Sequence, residues 1–374
     1  MSVNRRHLLA TAAALLAAPA SRAGDEAPAP LALAASWRGP DEGDPLQLGV
    51  LQLHWAQQRV AVRWQLPLPG RAHGLLAEPD GTLLVVAVRP GTWLLRASAQ
   101  GRVLQQLAMD DEPDGHRLDG HALASADGAW LYTAQTDRQG RGWLAVRDRR
   151  TLRTQDRWPT HGVDPHQLLL HPGGDVMLAN GGIRRTADGR KRDLHGMDSS
   201  LVRLAARDGA LQGRWTLPDP RLSLRHLAWA RPADGRPPLL GVALQAEHDD
   251  ARDRAAAPVL AVWDGMQLQA VEQAASVNGY AGDICAAGPG GFAVSAQHAS
   301  RGLAWWPQMA GGAQPFAALQ QPCALAAPWQ GADAGAVLLA GARGVARWHP
   351  SQAPQMLAWP QPMVLDNHWV VLAG

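Results

Sequence analysis

Lysine is all but missing from this chain: Lys191 stands alone, and arginine supplies the rest of its 35 basic residues. Acidic residues number 33, and no basic block with interleaved aromatics occurs, which excludes nucleic acid as a partner. Cysteine is scarce too. Two of them, Cys285 and Cys323, make no disulfide framework. A single bridge, a thiolate ligand and two buried apolar thiols all stay open, buried thiols being the commonest case. Beyond the first residues no apolar run is long enough to cross a bilayer. There is no G-x-S-x-G elbow, Walker loop or Rossmann fingerprint in a fitting context, and "GPGGFAV" reads as a hairpin turn. A Ser-His-Asp triad is recognised by geometry alone, and no serine stands out for it. Phenylalanine and tyrosine number two each against sixteen tryptophans, which mostly fall in strand patterns such as "RGLAWWP" and "LAVWDG" and suit a sheet core or an aromatic platform.

The N-terminus speaks to location. "NRRHLLATAAALLAAPASRAG" pairs Arg5 with Arg6, follows them with a modest Ala-rich run, and ends on Ser21 and Ala23 at the spacing of a cleavage site. Residues 1–23 therefore resemble a twin-arginine export signal, and residues 24–374 are expected as one mature periplasmic domain with no membrane span. Cleavage there removes three of the 35 basic residues, leaving 32 against 33 acidic ones and a nearly neutral protein. That export route carries folded proteins, often with a cofactor already inserted.

About 350 mature residues exceed a usual single core, so two domains or a repeat is expected. A repeat is visible in "HGLLAEPDGTLLVVAV" from His73, "HALASADGAWLYTAQ" from His121 and "HQLLLHPGGDVMLAN" from His166. Each is a polar residue, an apolar run, a Gly-containing turn and a second apolar run, the pattern of a β-hairpin. Weaker copies begin near His226, Asp283 and Cys323, and a second pair of strands follows each hairpin, as in "GWLAVRDRRTLRTQDRWP". Starts 40 to 60 residues apart, at His73, His121, His166, His226, Asp283, Cys323 and His368, predict an all-β, seven-bladed β-propeller. The last start leaves room for one strand, "HWVVLAG", so three N-terminal strands, "LALAASW", "LQLGVLQLHW" and "RVAVRWQLP", are expected to close the ring with it. Residues 184–199, polar and turn-rich, read as a long loop of the third blade.

The first strand of a blade lines the central channel, so this column of starts gathers on one rim. His73, His121, His166, His226 and His368, with Asp283 and Cys323, offer the ligand types preferred by iron, copper or zinc. The loops that return to the same face carry Asn180, His195, His248 and His298, candidate contacts for a bound cofactor or ligand, while only His54, His171 and His349 fall on the other face. His116 and His161 enter from the top as further ligands or supports. "HRLDGH" and "HGVDPH" both fit H-x-x-D-x-H, so Asp119 and Asp164 are placed to accept the second N–H of an imidazole and fix its tautomer. Against this, a lone histidine at a blade start more often ties neighbouring loops together.

The pieces Gly120-His121, "HGVDPH" at 161–166, "NGGI" at 180–183, "MDSSL" at 197–201 and "RHL" at 225–227 resemble a family of exported bacterial proteins catalogued as domain of unknown function 1513. The resemblance implies a seven-bladed propeller and export by the twin-arginine route. Genes of the family commonly lie beside imelysin-like and di-haem peroxidase-like genes, which implies iron acquisition and periplasmic iron-uptake proteins such as imelysin-like ones as partners. A looser analogy is the copper-binding propeller of nitrous oxide reductase. The expectation is a periplasmic metal-binding propeller that handles a metal ion or small metal complex in iron acquisition. Its alternatives are a propeller enzyme, such as a metal-assisted lactonase-like hydrolase or an oxidoreductase, and a non-catalytic scaffold.

Overall fold

In the computed structural model, residues 30–111, 115–329 and 334–372 are described; the export-signal expectation for residues 1–23 lies outside them. Seven four-stranded antiparallel sheets are arranged as a propeller. The innermost strands, Ala72–Ala77, Arg117–Ala124, Pro165–Leu170, Leu222–Ala230, Ile284–Ala286, Leu325–Ala326 and Val364–Leu372, each neighbour the next around the channel and define blades 1 to 7. The blades are those expected from the column of starts.

The second strands of blades 1, 3, 5 and 6, Leu83–Ala87, Val176–Asn180, Phe292–Ala296 and Val337–Gly341, are buried along their whole length. Strands covered on both faces read as continuous apolar runs and not as alternation, which is why the hairpins are so plain in the sequence. The core lies between blades. Met177 and Leu201 of blade 3, for example, pack with Leu224, Leu240 and Val242 of blade 4. Outer strands such as Gln352–Ala358 are almost wholly exposed.

Blade 7 closes the ring as expected. The C-terminal strand Val364–Leu372 is innermost and pairs with Leu31–Arg38, through Leu33 with Val371, Ala34 with Val370 and Ala35 with Trp369. Gln47–His54 and Arg59–Pro67 complete the sheet. Closure leaves the first and last blades without an open inner edge. In the third blade, residues 184–199 are more ordered than a plain loop: Arg184–Arg185 pairs with Lys191–Arg192 as a short hairpin, and Leu194–Gly196 forms a 3₁₀ turn.

Trp369 is buried between blades 6 and 7. Trp369→Ala is expected to lower unfolding free energy by about 3–5 kcal/mol in a urea titration. Deletion of residues 364–374 should abolish the cooperative transition altogether, because it exposes the Leu31–Arg38 edge to water.

Candidate metal centre

Five inner strands are irregular at one place each, and that place is the histidine. In blade 1 the pairing steps from Ala72 to Leu75, so His73 and Gly74 face one residue of the second strand. Equivalent β-bulges hold His121 between Leu118 and Ala122, His166 between Pro165 and Leu168, His226 between Leu224 and Leu227, and His368 opposite Ser36. A bulge bends the strand and re-aims its side chain. Blades 5 and 6, whose inner strands pair without a shift, carry no histidine there. Glycine lets the bulged strands close up: a Cβ on Gly74 would lie 2.3 Å from the Gly120 carbonyl oxygen, and one on Gly120, at φ 102°, 2.6 Å from the His73 ring.

The five rings meet in the channel. Centroids of His226 and His368 are 4.3 Å apart, His166 and His226 4.6 Å, and His73 lies 4.7 Å from both His121 and His368. The Nε2 atom of His226 is 2.8 Å from that of His166 and 2.9 Å from that of His368. One nitrogen from each of His73, His121, His226 and His368 falls within 4.8 Å of the others. A metal bonded tetrahedrally to imidazoles at about 2.0–2.1 Å sets its ligand atoms about 3.4 Å apart, so side-chain rotation of these four rings can bring them to one ion.

All five are buried, and burial is the first cause that pushes His121, His166 and His226 well below the usual imidazole range and His73 down to about 3. His73, His121, His166 and His226 are therefore neutral at pH 7, the form that ligates metal. Both ring nitrogens of His73, Nε2 of His121 and Nδ1 of His226 are buried without a hydrogen-bond partner. Each such orphan costs about 1–3 kcal/mol.

Carboxylates support the cluster, but not those of the H-x-x-D-x-H motifs. Asp366 Oδ1 stands 4.0 Å from His73 Nδ1, an ion-pair distance and not a hydrogen bond, and Asp283 Oδ1 3.3 Å from His368 Nδ1. Arg71 fixes Asp366 through two hydrogen bonds of 2.7 and 3.0 Å, while Asp283 accepts from the backbone N–H groups of Ile284 and Leu325 at 2.9 Å each. Asp119 instead accepts from Thr136 Oγ1 at 2.6 Å. Asp164 accepts from Arg185 at 3.0 Å, Arg225 at 2.8 Å and, closer still, Arg89, which also contacts the His166 ring. The reason is geometric: Asp119 lies within the bulge of its strand, while Asp164 precedes its strand at φ 55°, so neither carboxylate follows its histidine into the channel.

Electrostatics separates these two aspartates. Burial raises the Asp119 carboxyl to about 7. Burial opposes charge at Asp164 as well, yet the guanidinium groups of Arg225, Arg89 and Arg185 hold it well below the usual carboxylate range. Burial lowers Arg225 in turn, to about 10.

The remaining sequence candidates lie apart from the rings. His116 is buried with its ring edge-on to Trp143 at 5.9 Å, and His161 is exposed. Asn180 is a structural tie, donating to the Thr160 carbonyl at 2.9 Å. His195 is exposed beside Asp249, His248 lies 2.9 Å from an Asp219 oxygen, and His298 stacks on Tyr280 at 4.1 Å. Cys323 sits in an apolar cluster, its thiol pushed up to about 12 by burial, and Cys285 is likewise a buried free thiol.

The chain matches the family described as Protein of unknown function (DUF1513) over residues 66–372. It belongs to that family. The DUF1513 match takes in blades 1 to 6 and the C-terminal strand of blade 7, and so all five histidines of the cluster. No curated protein matches. Among solved structures it is similar in fold to the periplasmic gluconolactonase of Pseudomonas aeruginosa, at 15% identity and a TM-score of 0.54, over 90% of this chain and 99% of that one. It is also similar to virginiamycin B lyase from Staphylococcus aureus, at 11% identity and a TM-score of 0.54, over 78% of this chain and 85% of that one.

Two pH effects of opposite sign are expected in metal-free protein. The depressed His73 contributes stability that is complete above its ordinary value of 6.5 and is lost as pH falls toward about 3, so the melting temperature should drop across that window. Asp119 is raised, so its contribution is complete below the ordinary 3.8 and is lost as pH rises through about 7. Asp119→Asn should therefore gain melting temperature relative to wild type as pH goes from 5 to 8. Asp164→Asn should cost about 3–5 kcal/mol by urea titration, because it strands the buried Arg225 beside two further cations.

Proposed function

We propose that this DUF1513 protein is a periplasmic metal-binding propeller that holds a transition ion, iron or copper before zinc, in iron acquisition or handling. The observation that carries the reading is the set of buried imidazoles on His73, His121, His226 and His368, one nitrogen of each lying within 4.8 Å of the others in the channel, with unpartnered nitrogens on His73, His121 and His226. A coordinated ion satisfies those nitrogens together, which supplies a physical reason for keeping such a costly cluster. His166 completes a five-ring set once Arg89 moves off its nitrogen. Imidazole suits iron, copper and zinc alike, and the absence of a thiolate from the cluster removes the strongest preference for zinc or copper(I). The paired arginines near the N-terminus support export, and the family resemblance supports iron.

Protein isolated from periplasm without an affinity tag should carry about one metal ion per chain, and His121→Ala/His226→Ala should carry none. Removal of the ion and its return at about 1,000 times Kd should raise stability by about 4 kcal/mol in wild type only. Exposed-surface controls His161→Ala and His195→Ala should keep the ion. Metal-free wild type whose melting temperature ignores added iron(II), copper(II) and zinc would sink the reading.

A second reading, a metal-assisted hydrolase, is favoured by Asp119: its carboxyl near 7 lines the cleft beside the cluster and has the protonation range of a general acid–base group. Bound metal would supply an activated water there. Lactone hydrolysis that falls by about 100-fold or more in Asp119→Asn would establish it; metal-loaded protein without turnover leaves the binding protein.

A further inference from the structure

Next to the histidines, between blades 2 and 3, lies a cleft of about 390 Å³ that neither the fold nor the metal accounts for. Its walls carry five arginines, Arg89, Arg117, Arg138, Arg185 and Arg192, against three aspartates. Two of those carboxylates are already engaged. Asp137 accepts from Arg141 and Trp143, and Asp164 is shared by Arg89, Arg185 and Arg225. Among the described residues neither Arg138 nor Arg192 is paired with a carboxylate, and the partner of Arg117 is the exposed Asp110.

The outer wall is the third-blade hairpin, and its pairing is unfavourable by itself. Arg184 lies directly across from Arg192 and Arg185 across from Lys191, so both rungs set like charges opposite one another. Contacts elsewhere relieve part of this, Lys191 with Glu247 and Arg185 with Asp164. Among the described residues, the hydrogen-bond partner of Arg192 is the Arg185 carbonyl, at 3.3 Å. The hairpin is nonetheless seated against blade 1, where Gly189, at φ 84°, approaches Pro90. A concave surface with a net excess of guanidinium donors in fork geometry recognises planar oxyanions.

From this geometry we infer that the cleft is a binding site for a small organic polyanion, bearing carboxylates or phosphate, held beside the histidine cluster through Arg89. The volume fits a ligand of that class. Arg89 joins the two sites, because it contacts both Asp164 and His166. An anion that draws Arg89 outward frees a nitrogen of His166 and offsets the positive charge that a metal ion would meet. The anion site itself rests only on the arginines; this coupling alone rests on the metal reading.

The test is calorimetric titration of metal-free, full-length mature protein with citrate and, separately, with inorganic phosphate, in wild type and in Arg138→Gln/Arg192→Gln. Both substituted residues are exposed, so folding is retained, and Arg236→Gln, whose partner is Asp234, serves as a distant control. Citrate binding that weakens tenfold or more in the double variant and not in the control supports the proposal with an organic acid as ligand. Phosphate binding as tightly, with the same arginine dependence, supports it with phosphate as the source. No binding of either, or binding indifferent to Arg138 and Arg192, overturns it. His121→Ala/His226→Ala should bind citrate like wild type, so loss of the metal reading would leave this result standing. With the anion site filled, zinc affinity corrected for the zinc held by free citrate should rise in wild type and not in Arg138→Gln/Arg192→Gln; the same corrected affinity with and without citrate in wild type rejects the Arg89 link.

Discussion

One carboxylate organises this molecule's polar interior. Asp164 is buried and carries its charge only because Arg225 of blade 4, Arg185 of the third-blade hairpin and Arg89 of blade 1 surround it. Three cations on one anion leave an excess positive charge in a place with little water, and that excess reaches in two directions. Toward the channel, Arg89 contacts His166, which burial keeps neutral. Away from it, Arg89 and Arg185 form the floor of a cleft rich in further arginine. The blades are held together through the same contacts, so the features that prepare the cluster also stabilise the ring around it.

The propeller supplies what a single hairpin lacks. Five strands that never pair with one another deliver one ring each to a common point, and each does so through a bulge that breaks its own ladder. The lost ladder bonds and the orphaned nitrogens are tolerable because the apolar core lies between blades, away from the channel. The inner strands of blades 5 and 6 pair without a bulge and contribute backing instead: Asp283 reaches His368 while Cys323 stays in the core.

Much of this was legible in the sequence, for physical reasons. Blade starts announce themselves because an apolar hairpin follows each but the last, its second strand wholly buried in blades 1, 3, 5 and 6, and the lone C-terminal strand at His368 demands N-terminal partners for its edge. The five histidines of the cluster followed from that column. Bulges were not legible, since a two-against-one pairing depends on the partner strand; Gly74 and Gly120 beside their histidines were the one available hint. The directions of Asp119 and Asp164 are not legible either: Asp119 sits inside a bulge, and Asp164 precedes its strand in a left-handed backbone conformation that spacing does not reveal. Arg89 and Arg225 went unnoticed, as arginines are common in this chain and their shared carboxylate is distant in sequence. Asp366, which faces His73 from the neighbouring blade, is hidden for the same reason.

The most direct measurement is the X-ray absorption spectrum of the protein as isolated without an affinity tag. Four or five nitrogen ligands with imidazole scattering, at about 2.0–2.2 Å and with no sulfur shell, are the predicted result for a channel-bound ion. Absence of a stoichiometric metal edge, or a shell containing sulfur, contradicts the assignment of the histidine cluster as the metal centre.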